Sequence, residues 1–183
     1  MAMPPPDVVA AILDVLRRHG LEYLLGPALF APSNWHQSLS ERIWKPAPGD
    51  IEALRSVGRQ VRAHACTLQY GRIDSSVDPN GNIHVTLRAK GRPKSFGVLV
   101  KEVQRCLVEA GHGGIASGVT PHMTLSYRAP ALIEKVGIAP TIDWTIHELL
   151  LVLGGGKPYR YEVLDSWPLL PELDPAVSQI GLF

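Results

Sequence analysis

The chain has 183 residues, enough for one well-buried domain, and its composition is that of a globular protein rather than a disordered one. Its 18 Lys and Arg residues nearly balance its 17 Asp and Glu residues, so the net charge of +1 excludes binding of nucleic acid by a strong overall field. The two cysteines form no C-x-x-C motif and predict no disulfide framework, which favours a reducing compartment. We therefore expect a single domain over residues 1–183 that binds any charged ligand locally.

Hydrophobic periodicity predicts the helices, and turn signals separate the strands. In chain order the predicted elements are a helix over residues 7–19, strands over 22–29 and 36–42, a helix over 51–61, strands over 66–73 and 83–89, a helix over 96–110, and strands over 122–128, 142–153 and 161–166. Asp7, Asp50 and Ser95 are the predicted N-caps. This order predicts an α+β fold with two lobes, in which mostly antiparallel sheets and flanking helices surround a central groove. The first helix has no counterpart in the two halves, so residues 1–20 are interpreted as an N-terminal helical addition.

A seven-residue pattern, H-x-[S/T]-L-S-x-R, occurs twice, at residues 36–42 and 122–128. Alternate side chains share a face in an extended strand, so the first, third, fifth and seventh positions are expected to point the same way. These positions are His36, Ser38, Ser40 and Arg42 in the first copy and His122, Thr124, Ser126 and Arg128 in the second, with Leu39 and Leu125 facing the core. Two such strands side by side would bring two imidazoles, hydroxyls and positive charge to one cleft, which suits acid/base chemistry on a phosphate ester.

This pattern resembles the two-histidine phosphoesterase superfamily in its 2′,5′-RNA ligase-like branch, which has two H-x-[S/T] motifs on the central strands of a two-lobed α/β fold. The resemblance covers most of the chain. It extends to the order of strands and helices, to Pro121 directly before the second histidine, and to a closing strand that runs into Trp167. Ser38 stands where the family more often has Thr, and since the hydroxyl is kept we expect only slightly looser positioning of a phosphate.

The resemblance implies a metal-independent phosphodiesterase that acts on a 2′,3′-cyclic phosphate or a 2′,5′ linkage at an RNA end or in a nucleotide. His36 and His122 are then the expected catalytic acid and base, because a free imidazole titrates near pH ~6.5. Ser38 and Thr124 are expected to bind the non-bridging phosphate oxygens. We assign His122 as the base that activates water and His36 as the acid, and the ligation direction exchanges these roles. No metal and no cofactor are expected.

Further candidates for substrate binding lie beside the motifs. Arg42 and Arg128 would either reach the groove or remain as solvated charges at the strand ends. Tyr127 and Trp35 are candidates for stacking on a base, although core packing is the commoner role for aromatic side chains.

A partial third copy of the pattern begins at His84 and lacks the serine at its fifth position. His84 would either line the site or be an ordinary polar position of a sheet, and the second role is the commoner one. A basic cluster in the sequence would either bind additional phosphates or lie in solvated turns. It comprises Arg72, Arg88, Lys90, Arg92 and Lys94.

Other classes of protein fit less well. The sequence has neither the H-x-H nor the H-E-x-x-H pattern of a metal enzyme. The segment 114–118 lacks the G-x-S-x-G spacing of a serine hydrolase, and 154–158 lacks the full P-loop spacing. A non-catalytic module that binds RNA ends or nucleotides in the same groove stays open.

The expected partners are RNA ends or nucleotides with a cyclic phosphate or a 2′,5′ linkage. The sequence has no apolar run long enough to cross a bilayer and no secretory signal pattern, so we expect a cytoplasmic protein without a membrane partner. Since the groove is formed within one chain, a monomer is the simpler expectation.

Overall fold

Long helices form where the sequence has an apolar stripe, and two of them begin at a proline. In the computed structural model, which describes residues 1–173, the helices are α1 (Pro6–Arg18), α2 (Leu21–Leu25), α3 (Pro48–Gln60) and α4 (Lys94–Glu109). Proline suits the first turn because the N–H group there has no acceptor within the helix. The predicted caps Asp7 and Asp50 consequently lie inside the first turn of their helices rather than before it. Ser95 also lies inside the first turn, since α4 begins at Lys94.

The strands form two antiparallel sheets. They are β1 (Cys66–Val77), β2 (Ile83–Ala89), β3 (His122–Ser126), β4 (Val136–Ile146), β5 (Glu148–Gly155) and β6 (Arg160–Pro168). The larger sheet has the strand order β3-β2-β1-β4, and β5 and β6 form a separate hairpin. The prediction of an α+β fold with antiparallel sheets is confirmed.

The larger sheet is covered on one face by helices, and this face supplies most of the core. Met123 and Leu125 of β3 and Leu87 of β2 are completely buried there. Leu39 and Leu125, the leucines of the two motifs, are both buried as predicted. The opposite face of β1, β2 and β3 is partly open and carries polar side chains, so it is the face that can hold a site.

Two strand predictions are wrong. Residues 22–29 form α2 and a short 3-10 turn (Gly26–Ala28), because Leu21 and Leu25 lie on one side of a helical turn and are buried together. The predicted strand over 142–153 is two strands, β4 and β5, which belong to different sheets and are separated at His147.

The first motif is also not a regular strand. Only Gln37 pairs in the manner of a strand, with Ala2 on one side and Met123 on the other. The chain then bends at Leu39 and Ser40, and the Ser40 hydroxyl donates to the carbonyl of Glu41. The predicted alternation of buried and half-buried side chains therefore continues only to Ser40, and it ends at Glu41 and Arg42, which are both exposed.

The N-terminal segment is integrated into the core. α1 packs against β4, and it buries Val8, Ile12, Val15 and Leu16. The terminal ammonium of Met1 donates to the Leu150 carbonyl at 3.0 Å, and Ala2 exchanges two backbone hydrogen bonds with Gln37, each 2.9 Å long. Residues 1–20 thus support the first motif directly. No helix in the described range is long and apolar enough to span a bilayer.

Gly58 on α3 lies directly beneath the Trp167 ring of β6, so this glycine sets how closely the β5–β6 hairpin approaches the helix. A Cβ atom at position 58 would overlap the ring. We expect Gly58→Ala to lower the free energy of unfolding by about 1–3 kcal/mol through overpacking. Gly97→Ala on α4, where a Cβ would meet no neighbour, is the matched control and should raise it by about 0.5–1 kcal/mol. Urea unfolding of both variants measures the difference, and equal effects would contradict this packing.

Candidate active site

The polar face of the larger sheet is built from three aligned rows of side chains. In one row Arg72 of β1 lies opposite Arg88 of β2, which lies opposite His122 of β3. The next row contains Asp74, Thr86 and Thr124. Ser76 and His84 form the third row on β1 and β2. The second histidine motif therefore lies on the edge strand, β3, of a wider polar surface formed by three strands.

A β-bulge at Gly71 produces this alignment. Tyr70 and Ile73 are both completely buried, although residues three apart in a regular strand face opposite sides. The register of β1 with both of its neighbours shifts between Tyr70 and Arg72. The shift turns Arg72 and Asp74 away from the core and onto the face that carries His122.

Each motif histidine is oriented by a backbone carbonyl two residues earlier in the chain. His36 Nδ1 lies 2.9 Å from the Asn34 carbonyl oxygen, and His122 Nδ1 lies 3.1 Å from the carbonyl oxygen of Thr120. A carbonyl oxygen can only accept, so each contact to it places a proton on Nδ1. The Thr120 hydroxyl, also 3.1 Å from His122 Nδ1, can accept from the same proton. In the neutral rings Nε2 is then the unprotonated nitrogen, which is free to take a proton from a ligand. The two motifs therefore repeat a local geometry as well as a sequence.

Gln37 connects the two motifs through the side chain between His36 and Ser38. This fully buried amide donates to the Ser38 carbonyl at 2.8 Å and to the Thr120 carbonyl at 3.1 Å. The Thr120 carbonyl is also the acceptor for His122, so the Gln37 side chain links the first motif to the segment that orients the second histidine. Gln37 and Met123 also pair through their backbones, which makes the motifs spatial neighbours as predicted.

The motif hydroxyls Ser38 and Thr124 belong to half-buried residues. Neither hydroxyl makes a hydrogen bond to another group within residues 1–173. Thr124 lies two residues after His122 on the same strand face, and Ser38 holds the corresponding position after His36. Both hydroxyls are thus available to a ligand beside the rings.

Both imidazoles have lowered pKa values. Burial lowers the pKa of His36 most, and the hydrogen bond to Asn34 opposes this. The positive charge of the N-terminal ammonium lowers the pKa further, and that of His122 adds a smaller effect in the same direction. Burial is also the main cause of the lowered pKa of His122, to which the charge of Arg88 contributes. Protonation of one ring therefore disfavours protonation of the other, which suits a pair in which one ring is the base and the other the acid.

Asp74 joins two arginines and a threonine on the sheet face. Its Oδ1 accepts from Arg88 Nε at 2.7 Å and from Thr86 Oγ1 at 3.0 Å, and its Oδ2 accepts from Arg72 Nε at 3.0 Å. Burial opposes ionisation of this carboxyl, but these hydrogen bonds outweigh it and lower the pKa of Asp74. The carboxylate thereby fixes both guanidinium groups on the sheet face that carries His122.

Aromatic rings line the site. Tyr161 of β6 packs edge to face on His36, with ring centroids 5.1 Å apart. Tyr127, half exposed, lies between Phe30 and His84 at centroid distances of 5.1 and 5.0 Å. The β5–β6 hairpin therefore supplies one wall of the groove, and Tyr127 is available to a ligand on the other.

Several predicted contacts need correction. Trp35 is completely buried in the core and cannot stack on a base. Ser126 is also completely buried, because the register between β2 and β3 shifts after Thr124 and pairs Ser126 with Val85. Its hydroxyl accepts the backbone N–H of Arg128 instead.

The motif arginines and His84 occupy peripheral positions. Arg42 packs over the Trp44 ring, 3.5 Å from its centroid, and its charge also acts on the Tyr161 phenol. Arg128 is exposed beyond the end of β3. His84 Nε2 lies 3.3 Å from the Asp78 carboxylate, so His84 has a local partner of its own. In residues 1–173 no group of three or more His, Cys, Asp or Glu side chains is arranged to hold a metal ion.

Solved structures with this architecture include LigT from E. coli. The apo form of LigT superposes with a TM-score of 0.73 over 92% of this chain and 94% of its own, at 19% sequence identity. This chain has the LigT fold. LigT complexed with 3′-AMP aligns with a TM-score of 0.73 over 92% of this chain and 94% of that one, at 18% identity. The protein TT0787 of Thermus thermophilus aligns with a TM-score of 0.72 over 93% and 96% of the two chains, at 20% identity.

The likeness to LigT confirms the fold that the sequence resemblance implied. No protein-family model matches the chain, and no curated protein matches it.

Sequence reasoning missed three contributors to this site. Gln37 has the completely buried polar side chain that joins the motifs, but its neighbours in the sequence give no sign of this. Asp74 faces the site only because of the β-bulge in β1. A glycine inside a strand often marks a bulge, so Gly71 could have indicated it. Tyr161 reaches His36 from the hairpin, and no local pattern marks it.

Proposed function

We propose that this chain is a two-histidine phosphoesterase, a metal-independent phosphodiesterase that acts on a 2′,3′-cyclic phosphate or a 2′,5′ linkage of RNA or of a nucleotide. The observation that carries the proposal is the matched pair of histidines, each with Nδ1 on the carbonyl two residues earlier and Nε2 free. The LigT fold supports it, and so does the binding of 3′-AMP by LigT, since that ligand carries a phosphate on the ribose edge where the reaction would occur.

Two imidazoles with opposite protonation states perform the hydrolysis. His122 Nε2 takes a proton from water, whose oxygen attacks the phosphorus of the cyclic phosphate. The bond from phosphorus to the ribose O3′ breaks, and protonated His36 gives its Nε2 proton to O3′. The product is a 2′-phosphate. Ser38 and Thr124 donate to the non-bridging oxygens, where negative charge increases in the transition state.

The lowered pKa values of both histidines predict an acidic optimum. Activity falls at low pH when the base becomes protonated, and it falls at high pH when the acid loses its proton. Because both pKa values lie below the ordinary value, kcat/KM should follow a bell-shaped profile with its maximum below about pH 6.5.

Arg88→Gln tests the electrostatic part of this expectation. Removal of that positive charge should let the pKa of His122 rise, so the acidic limb of the profile should move to higher pH. Arg59→Gln removes the same charge from an exposed position of α3, outside the sheet that carries His122, and should leave the profile unchanged. A maximum well above pH 7, or an unmoved acidic limb in Arg88→Gln, would contradict the assignment.

Turnover of 2′,3′-cyclic AMP in the presence of EDTA tests the proposed activity. We expect hydrolysis that chelation does not affect. Loss of activity in EDTA that returns on addition of a divalent cation would overturn the metal-independent mechanism. A wild-type protein that binds 2′-AMP without turning over any cyclic phosphate or 2′,5′ linkage would instead indicate a binding module.

A further inference from the structure

Arg72 and Arg88 form a cationic pair on the sheet face that carries His122. The proposed reaction gives no role to this pair. The two arginines are opposite each other on β1 and β2, in the row that ends at His122 on β3. Their side chains are 42% and 33% exposed, so solvent and ligands can reach both guanidinium groups. We refer to these two residues as the arginine pair.

The arginine pair carries more positive charge than its surroundings neutralise. Within residues 1–173, Asp74 is the only carboxylate within 4 Å of either guanidinium group, and it accepts one hydrogen bond from each. Two guanidinium cations and one carboxylate leave one net positive charge. The positive charge of Arg88 also reaches His122, which is consistent with its incomplete neutralisation.

The hydrogen bonds to Asp74 also determine which nitrogens remain available. Both arginines donate through Nε. Their terminal nitrogens make no hydrogen bond to any group in the described range. A guanidinium group presents donors in a planar fork that matches a phosphate, and here that fork is held in place by the carboxylate behind it.

The position of the pair separates it from the reacting phosphate. Asp74 lies on β1, so its hydrogen bond draws the Arg88 head toward β1 and away from His122 on β3. Neighbouring strands are about 4.8 Å apart, which puts the backbone of Arg72 roughly 10 Å from that of His122. A phosphate held between the histidines and a phosphate held by the arginine pair would therefore be different groups of one ligand.

We infer that Arg72 and Arg88 form a second anion subsite, which binds a further phosphate of the same substrate. The inference rests on the proposed function for the identity of the first phosphate. It names the substrate class as nucleotides or RNA ends with at least two phosphates, either an internucleotide diester or a terminal phosphate. Nucleosides with a single cyclic phosphate, such as 2′,3′-cyclic AMP, are then still turned over, with kcat/KM about 10-fold below that of substrates with two phosphates.

Calorimetric titration of product-type ligands tests the subsite directly. The ligands are adenosine 2′-phosphate, adenosine 2′,5′-bisphosphate, and the dinucleotide ApA with a terminal 2′-phosphate. We expect at least one of the two larger ligands to bind wild type about 10-fold more tightly than adenosine 2′-phosphate, as one charged hydrogen-bonded contact provides. Which of them gains affinity identifies the source of the second phosphate.

Neutral analogues and variants separate charge recognition from base stacking. If the dinucleotide gains affinity, a methylphosphonate linkage in place of its diester should abolish the gain in wild type. Arg72→Gln and Arg88→Gln should each lose the gain, whereas Arg59→Gln should keep it. The wild-type comparison with the methylphosphonate needs no variant, so it remains decisive if a substitution disturbs folding.

Equal affinity of wild type for all three ligands would overturn the subsite. A gain that survives in both arginine variants would overturn it as well. Failure of the proposed function has a different signature, since wild type would then not turn over cyclic phosphates whatever the affinity of the larger ligands.

Discussion

Replacement of either His36 or His122 by alanine is expected to lower kcat/KM for a 2′,3′-cyclic phosphate by about 10³-fold. Each substitution removes the motif imidazole, whose Nε2 makes no hydrogen bond within residues 1–173 and is the atom that would accept or donate the proton. Because both proton transfers belong to one reaction, the double variant should be little slower than the slower single variant. Initial rates on 2′,3′-cyclic AMP measure both effects.

Two further measurements show whether the histidine substitutions act on catalysis: the affinity of a variant for a product-type ligand, and the rate of a variant at a surface histidine. The His36→Ala variant should bind adenosine 2′-phosphate within a few-fold of wild type, since His122 and both motif hydroxyls remain. His19→Ala, at the exposed end of α1, should have wild-type rates. Single variants that retain most of their activity, or that lose activity only through loss of binding, would exclude the proposed roles.

Removal of the motif hydroxyls is expected to have the next largest effect. Ser38→Ala and Thr124→Ala should each lower kcat by about 10²-fold, with a smaller change in KM, because the donors act mainly on charge that develops in the transition state. Ser38→Thr and Thr124→Ser keep the donor and should retain most of the activity. Steady-state kinetics that separate kcat from KM provide the test.

Ser40→Ala is the matched control for the hydroxyl variants. It removes a hydroxyl from the same seven-residue motif, but this hydroxyl donates to the Glu41 carbonyl after the chain has bent away. We expect nearly wild-type kcat. If Ser40→Ala were as slow as Ser38→Ala, the motif would extend further into the groove than the bend at Leu39 permits.

The sequence predicted the elements whose signals are local. The apolar stripes of α1, α3 and α4 are visible at helical spacing, and the alternation of β3 from His122 to Leu125 places its polar and apolar residues correctly. The paired motifs could be recognised because the same residue types repeat in step. These features depend on neighbours within a few positions of the chain.

The missed features depend on contacts between distant segments. The first motif lies beside β3, but it is held there by single pairs with Ala2 and Met123, which no strand pattern in residues 36–42 encodes. The approach of Arg88 to Asp74 requires both the bulge at Gly71 and the register of β1 with β2. The sequence showed which residues form the basic cluster. It did not show that Asp74 would fix the guanidinium groups of two of them, Arg72 and Arg88.

The histidine tautomers depend on local contacts, yet the sequence could not predict them. Their acceptors are only two residues away, at Asn34 and Thr120, so the geometry is local. A backbone carbonyl has no signature in the amino-acid sequence, however, and only the folded chain reveals that both motifs use the same arrangement.

Product analysis of a 2′,3′-cyclic phosphate end tests two-histidine catalysis most directly. An RNA with this end is incubated in EDTA with wild type and with the His36→Ala/His122→Ala double variant, and 2′-phosphate and 3′-phosphate products are resolved. We predict conversion to the 2′-phosphate by wild type and none above background by the double variant. Turnover that survives in the double variant, or release of the 3′-phosphate by wild type, would contradict the mechanism.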